Sequence, residues 1–288
     1  MTDPRYPAPL GHGTLPRRTR VPDGVGIVGL GAMGGPIARH LAAAGMQTVV
    51  TDLDEAAVAA AVAAGATAAA SPAALGAASG VVVVVVSTDE QLREVLTGPQ
   101  GVYTTARPGS VVLLSTSALP ETCRELAAEA PSGVDVLDAA LTGGVRAAEA
   151  GRLTLMVGGD ESALEAARPA VAPWTRAVHL LGGVGAGQVG KTVNNLVHWS
   201  QISAIAQALE LGRRLGGDVP SLRRALQDSP TDSRTLREME LMRFTWFEKD
   251  IANARQMARG IDADLSMSET ALSFMRTFTP ENVRELLS

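Results

Sequence analysis

Residues 185–195, GAGQVGKTVNN, gather glycines, a lysine and two asparagines, and two chemistries fit them. The octet 185–192 satisfies G-x-x-x-x-G-K-[ST], in which backbone N–H groups cradle phosphates and the lysine reaches the outer ones. A lysine facing a cleft can also move a proton. Oxidising an alcohol by hydride transfer requires a base for the hydroxyl proton, and the reverse requires an acid. Lys191 and Asn195 are four residues apart, so on a helix they share a face. Context separates the two chemistries. A triphosphate loop follows the first strand of a sheet whose later strand carries a magnesium-ordering aspartate. Here the octet follows the last strand-like run, AVHLL at 177–181, and only helical patterns come after it. The proton-transfer reading is preferred. It expects a glycine hinge and Lys191 in the first turn of a long helix, where a cation opposes the helix dipole and so calls for a compensating role.

A second glycine cluster has the context the first lacks. GLGAMG at 29–34 follows a strand-like run and opens a helix-like one. Gly29 would make the turn, Gly31 would let the backbone approach a pyrophosphate, and Gly34 would let helix and strand pack closely. Leu30, Ala32 and Met33 complete the loop, and the helix N-terminus offers N–H groups to phosphate. Asp52 closes the next run, QTVVT, where a carboxylate accepts from ribose hydroxyls and repels a 2′-phosphate. No Arg or Lys follows in LDEAAV, so NAD is expected in preference to NADP. Oxidised nicotinamide is cationic and pushes a nearby lysine toward the neutral base; reduced nicotinamide leaves it free to act as the acid.

These residues need elements to hold them. Short apolar runs at 24–29, 47–51, 81–86, 110–115, 134–139, 153–158 and 177–181 alternate with helical segments, which implies βαβ units and a mostly parallel sheet. The alanine-rich stretch 56–78 has helical periodicity. From Lys191 onward apolar residues at 196, 199, 202, 205, 206 and 209 mark a long helix with a broad apolar face, and the remainder reads as helices. The expected organisation is a flexible tail at 1–23, a dinucleotide-binding α/β domain at 24–184 and an all-helical domain at 185–288.

Composition narrows the alternatives. With 46% apolar and 19% charged residues the chain has a globular balance, and a net charge of −5 gives no case for nucleic acid or an anionic membrane. The short PRRTR run at 16–20 is the only basic block. The single Cys123 excludes an intrachain disulfide, and neither cysteine nor histidine spacing suggests a metal site. The first 23 residues lack the apolar segment of a secretion signal, so a cytoplasmic location is expected.

Four separated motifs, in order, resemble the β-hydroxyacid dehydrogenase family, which contains 3-hydroxyisobutyrate dehydrogenase and tartronate semialdehyde reductase. They are GLGAMGGPIA at 29–38, LDAALTGGVRAAEAGRLTLMVGG at 137–159, GAGQVGKTVNN at 185–195 and EKDIANA at 248–254; LLSTS at 113–117 is similar to a further cofactor-contacting segment. The resemblance implies a Rossmann-like domain, a connecting helix and a helical domain, assembled as a homodimer or homotetramer. It implies Lys191 as the catalytic acid/base with Asn195 beside it, and Thr142, Gly143 and Gly144 holding the carboxylate of a small hydroxyacid or semialdehyde. Ser87, Thr88, Thr116 and Lys249 are expected along the cofactor. Thr142 stands where the family has serine, Ala140 and Leu141 where it has Pro-Val, and Leu113 where it has aspartate. Arg146 is either a second carboxylate anchor or a solvated loop residue. An imine or uncharged-aldehyde reductase is the enzymatic alternative, against which Lys191 argues, since imine reductases of this superfamily generally lack it. A silent NAD-binding module is the other.

Overall fold

The computed structural model describes residues 24–259 and 261–287; the expected tail at 1–23 lies outside the described residues. Strands and helices alternate through β1 (Val25–Val28), α1 (Gly34–Ala43), β2 (Thr48–Thr51), α2 (Glu55–Ala63), β3 (Thr67–Ala68), α3 (Pro72–Ala78), β4 (Val81–Val84), α4 (Asp89–Thr97), β5 (Val111–Leu114), α5 (Pro120–Ala128), β6 (Asp135–Thr142), α6 (Gly144–Glu149), β7 (Leu153–Gly158), α7 (Glu161–Val171) and β8 (Thr175–Gly182). Helices follow: α8 (Ala186–Arg214), α9 (Val219–Gln227), α10 (Arg234–Glu238), α11 (Phe247–Met257), α12 (Ser266–Met275) and α13 (Pro280–Leu287).

The sheet order is β3-β2-β1-β4-β5-β6-β7-β8. The chain winds outward from β1 to β3, then crosses back to lay β4 against β1, a reversal that opens a crevice at the carboxyl ends of the strands. Every neighbouring pair is parallel except β6 with β7. The valine run explains its own composition. Val81 and Val83 join the core on one face with Ile27, Leu113 and Leu137, while Val82 and Val84 join the other with Leu75, Leu92 and Leu96. Successive strand side chains point to opposite faces, so a strand covered by helices on both sides is apolar throughout. Each buried valine contributes about 1.5–3 kcal/mol relative to exposure. Val85 and Val86 leave the strand and turn into the loop above it.

Two expectations need correction. The alanine-rich stretch 56–78 is not helical throughout: Gly65, at φ +103°, stops α2, and β3 pairs with β2 before α3 begins. A two-residue strand leaves no periodic trace in the sequence. The long helix begins at Ala186, not at Lys191, so the lysine stands in its second turn.

Trp199, Ile202, Ala206 and Leu209 form the buried face of α8, packed with Val219, Met239, Met275, Val283 and Leu286. The first turns of α8 instead lie on β6 and β7, so one helix belongs to both regions. Among the described residues, no helix is long and apolar enough to cross a membrane.

Candidate active site

The loops after β1, β4, β5 and β6 open on one edge of the sheet. In the first, Gly29 turns the chain at φ +94°, and an added Cβ there would lie 2.4 Å from the Val85 carbonyl oxygen. One on Gly34 would lie 1.9 Å from the Gly29 oxygen. Gly31 is different: its added Cβ would meet no protein atom within 4 Å. Protein packing therefore does not demand glycine at 31, but a pyrophosphate laid on the start of α1 does. That helix has no side-chain cap at Met33 and no acidic residue in its first turn, which leaves its N–H groups to an external anion. These residues fit a dinucleotide. Asp52 flanks the loop, with Oδ2 accepting from the Leu30 N–H and Oδ1 from the Asp54 N–H at 2.9 Å. Ala32 is exposed and Met33 half-buried.

The remaining cofactor-side residues divide. Ser87 and Thr88 are exposed; the Thr88 hydroxyl caps α4 by accepting the Gln91 N–H at 3.2 Å. Thr116 is buried, and its hydroxyl accepts the Val86 N–H at 3.1 Å, tying the loops after β4 and β5 together. Lys249, at the start of α11, reaches across to donate from Nζ to the Ser87 carbonyl at 3.2 Å.

The glycines of GAGQVGKT have a packing reason. Gly185 sits at φ +98°, and a Cβ on Gly187 would lie 2.4 Å from the Met156 carbonyl oxygen and 2.7 Å from Asp138 Oδ2. The carboxylate of Asp138, fully buried on β6, accepts the Gly185 N–H at 2.7 Å and the Gln188 N–H at 2.8 Å. Gln188 in turn donates from Nε2 to the Thr116 carbonyl at 2.8 Å. The start of α8 is thus filled by the protein's own anion, which leaves no cradle for a triphosphate and replaces the expected hinge with a packed helix start. Burial raises the Asp138 pKa, and the N–H donors from α8 oppose that rise.

Lys191 Nζ donates to the Leu141 carbonyl at 2.8 Å, three residues along β6 from Asp138. Burial pushes the lysine below its ordinary pKa, partly opposed by the Asp250 carboxylate. The second-turn position takes Lys191 beyond the reach of the helix dipole, so desolvation replaces the dipole as the perturbing influence. Asn195 is buried one turn on and its Oδ1 accepts from Asn194 Nδ2 at 3.0 Å. His198 Nδ1 lies 3.0 Å from the Thr235 hydroxyl; burial, then the Lys191 charge, push its pKa down to about 4. Trp199 Nε1 donates to Asp250 Oδ2 at 3.0 Å.

Thr142, Gly143 and Gly144 follow Leu141 at the end of β6. Thr142 is buried and its hydroxyl donates to the Thr154 carbonyl at 3.3 Å; Gly143 and Gly144 are exposed, at φ +111° and +70°. Arg146 forms a 3.6 Å ion pair with Glu238, which Arg234 shares at 3.2 Å.

Two family models divide the chain between them: the NAD-binding domain of 6-phosphogluconate dehydrogenase matches residues 24–183, and the NAD-binding domain of NADP-dependent 3-hydroxyisobutyrate dehydrogenase matches residues 185–285. The 2-hydroxy-3-oxopropionate reductase of Escherichia coli is 30% identical over 88% of this chain and 90% of its own length. The chain belongs to the β-hydroxyacid dehydrogenase family. A further relative of that family, the 2-(hydroxymethyl)glutarate dehydrogenase of Eubacterium barkeri, is 36% identical over 67% of this chain, a match that spans 64% of the relative. The solved structure of Mycobacterium tuberculosis 3-hydroxyisobutyrate dehydrogenase with L-serine superposes with a TM-score of 0.78 at 29% identity, covering 89% of this chain and 94% of that one. The named members of the family are dehydrogenases and reductases of small hydroxyacids, and both family models are of NAD-binding domains.

Proposed function

We propose that this protein interconverts a small 3-hydroxycarboxylate and its semialdehyde, using NAD and with Lys191 as acid and base. The observation that carries this reading is a half-buried lysine bonded to the end of the strand before Gly143 and Gly144, on the side of the sheet edge where Gly31 leaves room for a cofactor. When bound, the nicotinamide accepts or supplies the hydride. In the oxidative direction neutral Lys191 takes the hydroxyl proton as the C–H hydride departs; in the reverse direction its ammonium returns that proton to the oxygen. Backbone N–H groups of Gly143 and Gly144, in successive left-handed conformations, would receive the substrate carboxylate, with Thr142 beside them. Asn195 would hold the reacting oxygen, Lys249 and Ser87 would close the cofactor side, and Asp52 would select NAD through the ribose. Two relatives act, by name, on a three-carbon hydroxy-oxo acid and on a six-carbon hydroxymethyl diacid, which supports this substrate class.

The test is NADH formation from NAD and a panel of small 3-hydroxyacids, with NADP in parallel. Lys191→Ala should lose about 10²–10⁴-fold in turnover, the usual contribution of positioned acid–base catalysis. Wild-type turnover in that variant would sink the assignment, and equal rates with NADP would sink the role given to Asp52. The retained Lys191 weighs against an imine reductase and against a silent module.

We also infer a homo-oligomer. Val189, Val193 and Val197 are spaced by one turn on α8 and are 45%, 57% and 53% exposed, a stripe that a second copy would cover. Light scattering reads the mass directly.

A further inference from the structure

Asp138 carries an inference that deepens this reading and rests on it: a charged side chain, wholly buried, between the apolar pairs Val136–Leu137 and Ala139–Ala140 of its strand. It touches neither Lys191 nor any group assigned to cofactor or substrate, yet the strand and helix that hold Lys191 meet at its carboxylate. Oδ1 accepts the Gly185 N–H and Oδ2 the Gln188 N–H, one oxygen for each side of the α8 start. The space around it is kept clear by glycine. An added Cβ on Gly158, its partner across the β6–β7 ladder, would lie 2.3 Å from Oδ1 and 2.8 Å from the Ala186 nitrogen. One on Gly187 would lie 2.7 Å from Oδ2. Gln188 extends the same contact to the Thr116 carbonyl.

We propose that Asp138 is the positioning residue of the site. It pins the start of α8 at one register on β6, so that Lys191, three residues past Gln188, meets the carbonyl of Leu141, three residues past Asp138. A polar clamp of this kind is directional, whereas apolar packing alone lets a helix slide. A displacement of about 1 Å can cost about 10²-fold in rate.

The experiment compares full-length wild type with Asp138→Asn, which keeps one acceptor oxygen, and with Gly187→Ala, which pushes the helix away from an intact Asp138. The first readout is the pH dependence of Lys191 acylation by acetic anhydride, followed by mass spectrometry. It requires no substrate, so it survives failure of the proposed reaction. The titratable groups known to act on Lys191 or to be acted on by it, Asp250 on α11 and His198 on α8, remain in every variant. Both substitutions should admit water to Lys191 and move its acylation midpoint up toward that of ordinary lysine. The second readout is NADH binding by fluorescence, expected to stay within about threefold of wild type while turnover falls about 10²-fold. An unchanged midpoint in folded Asp138→Asn and Gly187→Ala would overturn the proposal. So would loss of NADH binding in step with turnover, which is the signature of general unfolding.

Discussion

At the start of α1 an added Cβ on Gly31 meets no protein atom, whereas at the start of α8 one on Gly187 strikes Asp138 Oδ2 at 2.7 Å. Both helices follow a glycine-rich turn, and neither is capped by its own preceding residue. A helix start left without partners attracts an anion. At α1 that anion must come from outside the protein; at α8 it is Asp138. The lesson concerns motifs: glycine spacing states that something approaches the backbone closely, and only the neighbouring elements state whether it is ligand or protein.

The comparison can be broken from either end. Its largest expected effect is at Gly34, where a Cβ would sit 1.9 Å from the Gly29 oxygen: Gly34→Ala should displace α1, lower the melting temperature and abolish detectable NADH binding together. Gly31→Ala should separate those readouts, weakening NADH binding by an order of magnitude or more while the melting temperature holds, because no protein atom is displaced. A destabilised Gly31→Ala would show that position to be a packing glycine after all, erasing the contrast with Gly187.

A smaller effect concerns protonation. If Lys191 is the base, kcat/KM for oxidation should rise with pH through a pKa below the ordinary lysine value of 10.5, because burial lowers it. Asp250 opposes that lowering, so Asp250→Asn should move the rise to still lower pH. A shift to higher pH would remove Asp250 as the counter-charge. The smallest effect belongs to Arg146, whose side chain is 60% exposed in its 3.6 Å pair with Glu238. Arg146→Ala should change stability by no more than about 1 kcal/mol, as exposed ion pairs do. A large rise in substrate KM would instead identify it as a second carboxylate anchor.

Much of the fold could be read from the sequence because its signals are redundant. The valine run, the alternation of short apolar segments with helices, and the GLGAMG loop each specify a parallel nucleotide-binding sheet. Lys191, Asn195, Gly143 and Gly144 were legible as a group through their motifs, and the structure brings the strand of one into hydrogen-bonding contact with the helix of the other. Asp138, Gln188 and the pairs Trp199–Asp250 and His198–Thr235 were not. Each depends on a partner at least 37 residues away, which no local pattern encodes. One clue was present: an aspartate inside VLDAAL is costly to bury without donors, and the run GGVG before α8 contains no capping side chain. Two deficits of opposite sign imply each other.

The antiparallel pairing of β6 with β7 has a consequence for chain direction. Because β8 runs with β7, it ends beside Gly158, level with Asp138 and, across β5 and β4, with the carboxyl ends of the parallel strands. The helix launched there runs in the same sense as the end of β6, from Asp138 to Leu141, and delivers its lysine to the Leu141 carbonyl. Had β7 kept the polarity of the strands before it, β8 would have ended out beside Thr142, past Leu141, and a helix launched there in the same sense would have left the Leu141 carbonyl behind. One reversal of polarity brings the chain back to the level of the strand ends before the helix begins, so the helical region is launched from beside the crevice and not from beyond it.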